Sequence, residues 1–147
     1  MNGKCNEKDG HEKDQIDKID VVIVEPDRTP YFASIDRTLE GMQKVVGGLI
    51  EQVCPFDDPV SLICNEEGKL EGLPLNRTLR DEDGVIYDVI AGTFFMAYTP
   101  PDSDRFESMP KDLADKYMEI FRYPELVVMV NGQLDSVRFM PEKGKVS

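Results

Sequence analysis

The apolar residues of this chain come in short runs, each closed by proline, glycine or a cluster of acidic and amide residues. That punctuation leaves room for strands and for only brief helices. Ile19-Asp20-Val21-Val22-Ile23-Val24 is rich in β-branched residues and ends at Glu25-Pro26, which suits a strand buried on both faces near the centre of a sheet. Tyr31 to Ile35, after the turn from Pro26 to Pro30, reads as its antiparallel partner. Val60 to Cys64 is a second buried strand, and Lys69-Leu70 reads as the start of a strand pairing with it. Gly72-Leu73-Pro74-Leu75-Asn76-Arg77 is too broken for a regular element. Val85 to Tyr98 reads as one long strand kinked or bulged near Gly92.

Two segments carry helical spacing. Asp36 offers a side-chain oxygen to cap a helix in which Leu39, Met42, Val46, Leu49 and Val53 recur at intervals of three and four. Gly47-Gly48 falls inside that pattern, where each glycine costs about 1 kcal/mol relative to alanine, so close packing of helix on sheet is expected there. Pro110 suits the first turn of a second helix, continued by Leu113, Tyr117, Ile120 and Phe121 and stopped by Pro124. Asn131-Gly132 between apolar runs predicts a terminal hairpin, and Leu134, out of phase with Val137 and Phe139, asks for a bulge in it. The sum is an α+β fold: a mixed, mostly antiparallel sheet packed by two helices, with a C-terminal β-hairpin.

A chain of 147 residues suits one domain, typically about 100 to 150 residues. Composition divides it into a disordered acidic and polar tail over residues 1–18, a single α+β domain over 19–140 and a flexible C-terminal tail over 141–147. The 29 Asp and Glu against 17 Lys and Arg give a formal net charge of -12. Such a field disfavours direct nucleic-acid contact and anionic membranes, while a few converging cations can still hold a small anion at close range. Cys5, Cys54 and Cys64 are odd in number and form no C-x-x-C pair, which indicates neither a disulfide framework nor a zinc ribbon. With a polar N-terminus unlike a signal peptide and no run near the ~20 apolar residues of a membrane span, a cytoplasmic location is expected.

Catalytic constellations are missing from the pattern. The single histidine, His11, lies in the charged tail, away from any serine or cysteine it might activate. Cys54 and Cys64 sit in apolar company and read as small buried hydrophobes with raised pKa. Asp81-Glu82-Asp83-Gly84 places its glycine at the fourth position where a calcium loop needs it at the sixth, and no phosphate-binding glycine loop is present. A non-enzymatic chain without cofactor or metal is therefore expected.

One polar, partly basic segment is threaded through the apolar sequence: Asn65, Lys69, Asn76, Arg77 and Arg80. Amides pair with base edges or with loop backbone, and Arg and Lys clamp phosphates, so this set suits a small nucleotide-like anion. The same residues also serve turn chemistry and solubility. Tyr31, Phe32, Tyr87, Phe94, Phe95 and Tyr98 offer either a stacking face or core.

Ile63-Cys64-Asn65-Glu66-Glu67-Gly68-Lys69-Leu70, Gly72-Leu73-Pro74-Leu75-Asn76-Arg77 and Asp88-Val89-Ile90-Ala91-Gly92-Thr93-Phe94-Phe95 together resemble the family catalogued as domain of unknown function 3846. Val24-Glu25-Pro26 and the helix through Gly47-Gly48 look similar too, so the likeness spans about residues 20 to 98, with a fainter echo from Phe121 to Pro124. The resemblance implies a setting in bacteria, their phages and mobile elements, beside genes concerned with host defence, and it supplies no catalytic residues. The leading expectation is an anti-defence protein that sequesters a nucleotide-derived immune signal, acting as a homo-oligomer. The alternative is an acidic decoy of DNA, or an inhibitor of a host restriction or CRISPR protein, presenting Asp81, Glu82, Asp83, Asp102, Asp104 and Glu107.

Overall fold

A computed structural model describes residues 17–141. The expected tails, with Cys5 and His11, lie outside the described residues except for Asp17, Lys18 and Pro141. The elements run β1 (Lys18–Val24), β2 (Tyr31–Asp36), α1 (Leu39–Val46), β3 (Ile50–Val53), β4 (Val60–Asn65), β5 (Leu75–Arg80), β6 (Ile86–Ala91), β7 (Phe94–Tyr98), α2 (Lys111–Ile120), β8 (Glu125–Val130) and β9 (Gln133–Arg138). Five strands form an antiparallel sheet in the order β2-β1-β7-β4-β3, while β5 pairs with β6 and β8 with β9 in separate two-stranded ribbons. The α+β fold and the terminal hairpin are as expected.

Period-two alternation splits the central strands between two cores. Val22, Val24, Val60, Leu62, Cys64, Phe94 and Met96 point to one face, where Leu79 and Ile90 of the β5–β6 ribbon and Ala114, Tyr117 and Phe121 at α2 cover them. Val21, Ile23, Ile63, Phe95 and Ala97 point to the other, covered by Met42 and Val46 of α1. β1, β4 and β7 are thus buried on both sides, which explains their nearly unbroken apolar runs. Edge-to-face contacts join Phe94 to Phe121 (5.2 Å) and Phe56 to Tyr117 (4.9 Å).

Several local expectations fail for identifiable reasons. The first helix stops at Val46, because Gly47 takes a left-handed conformation (φ 82°) and closes it as a C-cap. Ile50–Val53, expected as more helix, is the edge strand β3. The N-cap is Thr38, whose hydroxyl accepts from the Gly41 amide at 2.9 Å, in place of Asp36. Gly48 is where the close approach occurs: a Cβ there would lie 2.8 Å from the Asn65 amide nitrogen. Lys69-Leu70 lies in turns, whereas the broken-looking Leu75-Asn76-Arg77 begins β5. The stretch from Val85 to Tyr98 divides at Gly92 (φ 86°) into β6 and β7, which belong to different sheets.

In the hairpin, Asn131 (φ 52°) and Gly132 (φ 80°) form the expected tight turn with positive φ at both central residues. Its register runs unbroken from Glu125↔Arg138 to Val130↔Gln133, without the bulge expected at Leu134. The alternation argument fails there because neither face of this ribbon is buried throughout.

Gly72 (φ 73°) and Gly92 both adopt left-handed backbone, but a Cβ at Gly92 would also meet Leu73 Cδ1 at 2.8 Å, while nothing lies near one at Gly72. Gly72→Ala is expected to cost about 1–2 kcal/mol and Gly92→Ala measurably more, read as the difference in their urea midpoints at constant slope.

Candidate functional site

The five residues singled out in the sequence do not converge. Arg77 is fully buried. Its Nε and Nη2 donate to the Phe121 carbonyl at 3.1 and 2.8 Å, Nη2 also donates to the Arg28 carbonyl at 2.7 Å, and Nη1 donates to Asn76 Oδ1 at 2.8 Å. Burial pushes its pKa down to about 10, so it stays charged at neutral pH. Phe121 caps the C-terminal end of α2, where aligned backbone dipoles concentrate negative charge, and that offsets part of the desolvation. Asn76 donates to the carbonyls of Val24 (3.0 Å) and Gly92 (2.8 Å). Both side chains are committed to the fold.

The other three sit apart. Asn65 donates to the Val46 carbonyl at 3.3 Å and accepts from the Glu67 amide at 2.8 Å, tying the end of α1 to the turn after β4. Lys69 is paired with Asp88 at 2.6 Å. These two border one cleft of about 320 Å³, but Glu51, Glu66 and Asp88 share it, so its charge repels a phosphate. Arg80 donates to the Gly84 carbonyl and, at 2.7 Å, to Ser136 Oγ on the hairpin. Among the other candidates, Cys64 is buried with its thiol pKa pushed up to about 11 by desolvation, as expected, whereas Cys54 is exposed. Phe94 and Phe95 are core, while Tyr31, Phe32 and Tyr87 are exposed. Of the carboxylates expected as a decoy, Asp81 accepts two amides of its own turn and Glu107 is paired with Arg37; Asp102 and Asp104 are exposed.

A larger cleft, about 460 Å³, opens beside α1 and is lined by Asp17, Arg37, Met42, Gln52, Thr99, Ser103, Asp104, Arg105 and Phe106. It exists because α1 is only eight residues long and leaves the β3, β4 and β7 end of its sheet face uncovered. The strand alternation there delivers polar groups in place of the apolar ones further along. Buried Ser61 accepts from Gln52 Nε2 at 2.8 Å and lies 3.2 Å from Thr99 Oγ1 and 3.4 Å from the Cys54 thiol. This hydroxyl and amide floor sits next to the mobile-charge side of the cleft, which the β2 end and the loop before α2 supply.

Arg37 organises that side. Its Nη1 donates to the Phe106 carbonyl (2.9 Å) and to Glu107 (3.0 Å), and its Nη2 donates to Asp17 Oδ1 (3.0 Å). The buried Nε lies 2.9 Å from Asp17 Oδ2 at an angle that leaves it without a hydrogen bond. Arg105 reaches the same Asp17 oxygen at 3.7 Å and is largely exposed. A carboxylate is therefore held between two guanidinium groups, beside Ser103, which donates to Glu107 at 2.7 Å. The hydrogen bond from Arg37 holds the Asp17 carboxyl below its ordinary range, and those from Ser103 and Arg37 do the same for Glu107.

These residues escaped the sequence reading because Arg37 and Arg105 are far apart in the chain and each is flanked by acidic neighbours. Their visible signal was weak: a cation just after a strand, and another in a Ser- and Asp-rich loop. Among the described residues no group of three His, Cys, Asp or Glu side chains is placed to hold a metal ion, and no helix is long and apolar enough to cross a membrane.

Arg77→Ala should lower stability by about 3–5 kcal/mol, since it leaves a cavity and strands buried carbonyls; Lys69→Ala should stay below about 1 kcal/mol, as an exposed ion pair does. Urea denaturation of the two variants reads the contrast. Because the Asp17 and Glu107 pKa values are depressed in the fold, their stabilisation is full above the ordinary values of 3.8 and 4.5 and is lost as pH falls through the lower folded values. Arg37→Gln should therefore flatten the acid limb of a stability–pH curve, with the wild-type and variant curves converging as the medium becomes more acidic.

Comparison with curated proteins and comparison with solved structures each return no match. A family model does match residues 19–122, covering both cores, the cleft apart from Asp17 and the Arg77 network, and by it the chain belongs to the family described as Domain of unknown function (DUF3846).

Proposed function

We propose that this protein binds a small nucleotide-like anion in the cleft between Arg37 and Arg105 and withholds it from solution, as an anti-defence factor of a phage or mobile element. The observation that carries the reading is the Asp17 carboxylate held between the two guanidinium groups: an anionic group already occupies this position, supplied by the chain itself. A phosphate or carboxylate of a ligand would take over those contacts by displacing Asp17, or would use the exposed Arg105 alone. Gln52, Thr99 and Ser103 offer the donors and acceptors a ribose or base edge needs, and Phe106 with Met42 offers apolar surface. At about 460 Å³ the cleft is within the ordinary range for small-molecule sites.

Electrostatics shape what such a ligand must be. The formal charge of -12 repels anions at a distance, while Asp17 and Asp104 balance Arg37 and Arg105 within the cleft. Affinity must then come from close hydrogen bonds, and raising salt should alter it little. The anti-defence setting rests on the family resemblance.

The test is to mix purified protein with cyclic nucleotides and ADP-ribose derivatives, wash, denature, and identify what is released by mass spectrometry. Intact recovery is expected, with Gln52→Ala and Arg105→Ala each reducing capture by about tenfold or more, the loss of one charge-assisted contact. A chemically altered product would make the protein an enzyme and overturn the reading. So would the absence of capture; should binding to a DNA-binding effector then appear and fall steeply with salt, the acidic-decoy reading takes its place.

A further inference from the structure

The β8–β9 hairpin stands outside everything the rest of the fold explains. It follows the family match, which ends at residue 122, and none of its side chains belongs to either core. Its ties to the body are Glu125, which accepts from the Thr78 hydroxyl at 2.5 Å, and Ser136, which accepts from Arg80 at 2.7 Å. Both contacts use the face carrying Glu125, Val127, Ser136 and Arg138. On the opposite face Leu126 lies across from Val137 and Val130 across from Gln133, and Leu126 and Val137 are 58% and 57% exposed. Among the described residues, seven of the sixteen exposed large apolar side chains fall within residues 126–140. Such a concentration marks an interaction surface. A lone two-stranded ribbon is also marginal in water and gains from a further layer.

Charge selects the occupant. Residues 124–147 contain Glu125, Asp135 and Glu142 against Arg138, Lys143 and Lys145, so the whole formal -12 lies in residues 1–123. A partner recognised by its basic surface would be drawn to the body and away from the hairpin. A second copy of this chain would be repelled from the body and could approach only where charge is absent. We propose that two copies pair about a two-fold axis through the outer faces of β8 and β9, apolar face on apolar face. Six-residue strands give a ribbon about 20 Å long, which offers less than the ~800 Å² per partner of a standard stable interface. The pairing is accordingly weak and concentration-dependent. It is independent of any ligand in the Arg37–Arg105 cleft.

Sedimentation velocity from about 10 µM to about 1 mM, where complexes down to roughly 4 kcal/mol are populated, should show a monomer giving way to a dimer. Added salt should favour the dimer, because it screens repulsion between the two acidic bodies. The double variant L126K/V137E replaces the apolar pair by a favourable cross-strand ion pair and should stay monomeric while its hairpin amides keep their NMR signature. If those signals are lost, L126T/V137T, which retains β propensity, is read in its place. A wild type that remains monomeric at the highest concentration overturns the proposal, whatever other protein it binds. It falls equally if a folded variant dimerises as the wild type does, or if salt dissolves the dimer.

Discussion

The buried guanidinium of Arg77 is the interaction on which the arrangement of the layers depends. It sits where the β5–β6 ribbon, the end of α2 and the turn between β1 and β2 meet, and it bonds to a carbonyl of each of the last two while its own strand supplies the side chain. Asn76 extends the network to Val24 and Gly92, at the ends of β1 and β6. None of these elements pairs with another through a strand ladder, apart from β1 with β2 and β5 with β6. Apolar packing would hold them together without fixing their relative position; directional bonds to specific carbonyls add that registry. A charge can be buried here because every acceptor is preformed and the α2 terminus contributes its dipole.

The two faces of the five-stranded sheet have different fates for a simple reason of length. One is closed completely by α2 and the β5–β6 ribbon. The other receives only α1, two turns ended by Gly47, whose left-handed geometry turns the chain into β3. The uncovered end of that face is paved with Gln52, Ser61 and Thr99, and the loop before α2 brings Ser103, Arg105 and Phe106 to its rim. A polar cleft thus forms where the helix runs out, and Arg37, anchored by Asp17 and Glu107, gives it a defined charged side.

Charge and apolar exposure are segregated along the chain. The residues that match the family carry acidic surface over closed cores, whereas the hairpin beyond them is neutral and apolar. That segregation makes the hairpin a distinct physical object, able to approach surfaces from which the body is repelled.

Strand existence, the α+β class, the terminal turn and the burial of Cys64 were legible in the sequence, because each depends on local chemistry: β-branched runs, helical spacing, and the positive φ that Asn131-Gly132 accepts. The end of α1 was less legible, since Leu49 and Val53 continue the helical spacing by coincidence and only the pairing of Ile50–Val53 with β4 turns that segment into a strand. The division at Gly92 was hidden likewise, because a kink and a change of sheet look alike in one dimension. The role of Arg77 belongs wholly to the tertiary structure. An arginine near two asparagines reads as an anion clamp when nothing says what surrounds it, and becomes a structural brace once backbone carbonyls from distant segments converge on it. Conversely, Arg37 and Arg105 gain their shared cleft only through folding, as they are separated by 68 positions of sequence and brought together by the loop before α2. Local propensity is written residue by residue; which polar groups meet is decided by packing of parts far apart in the chain.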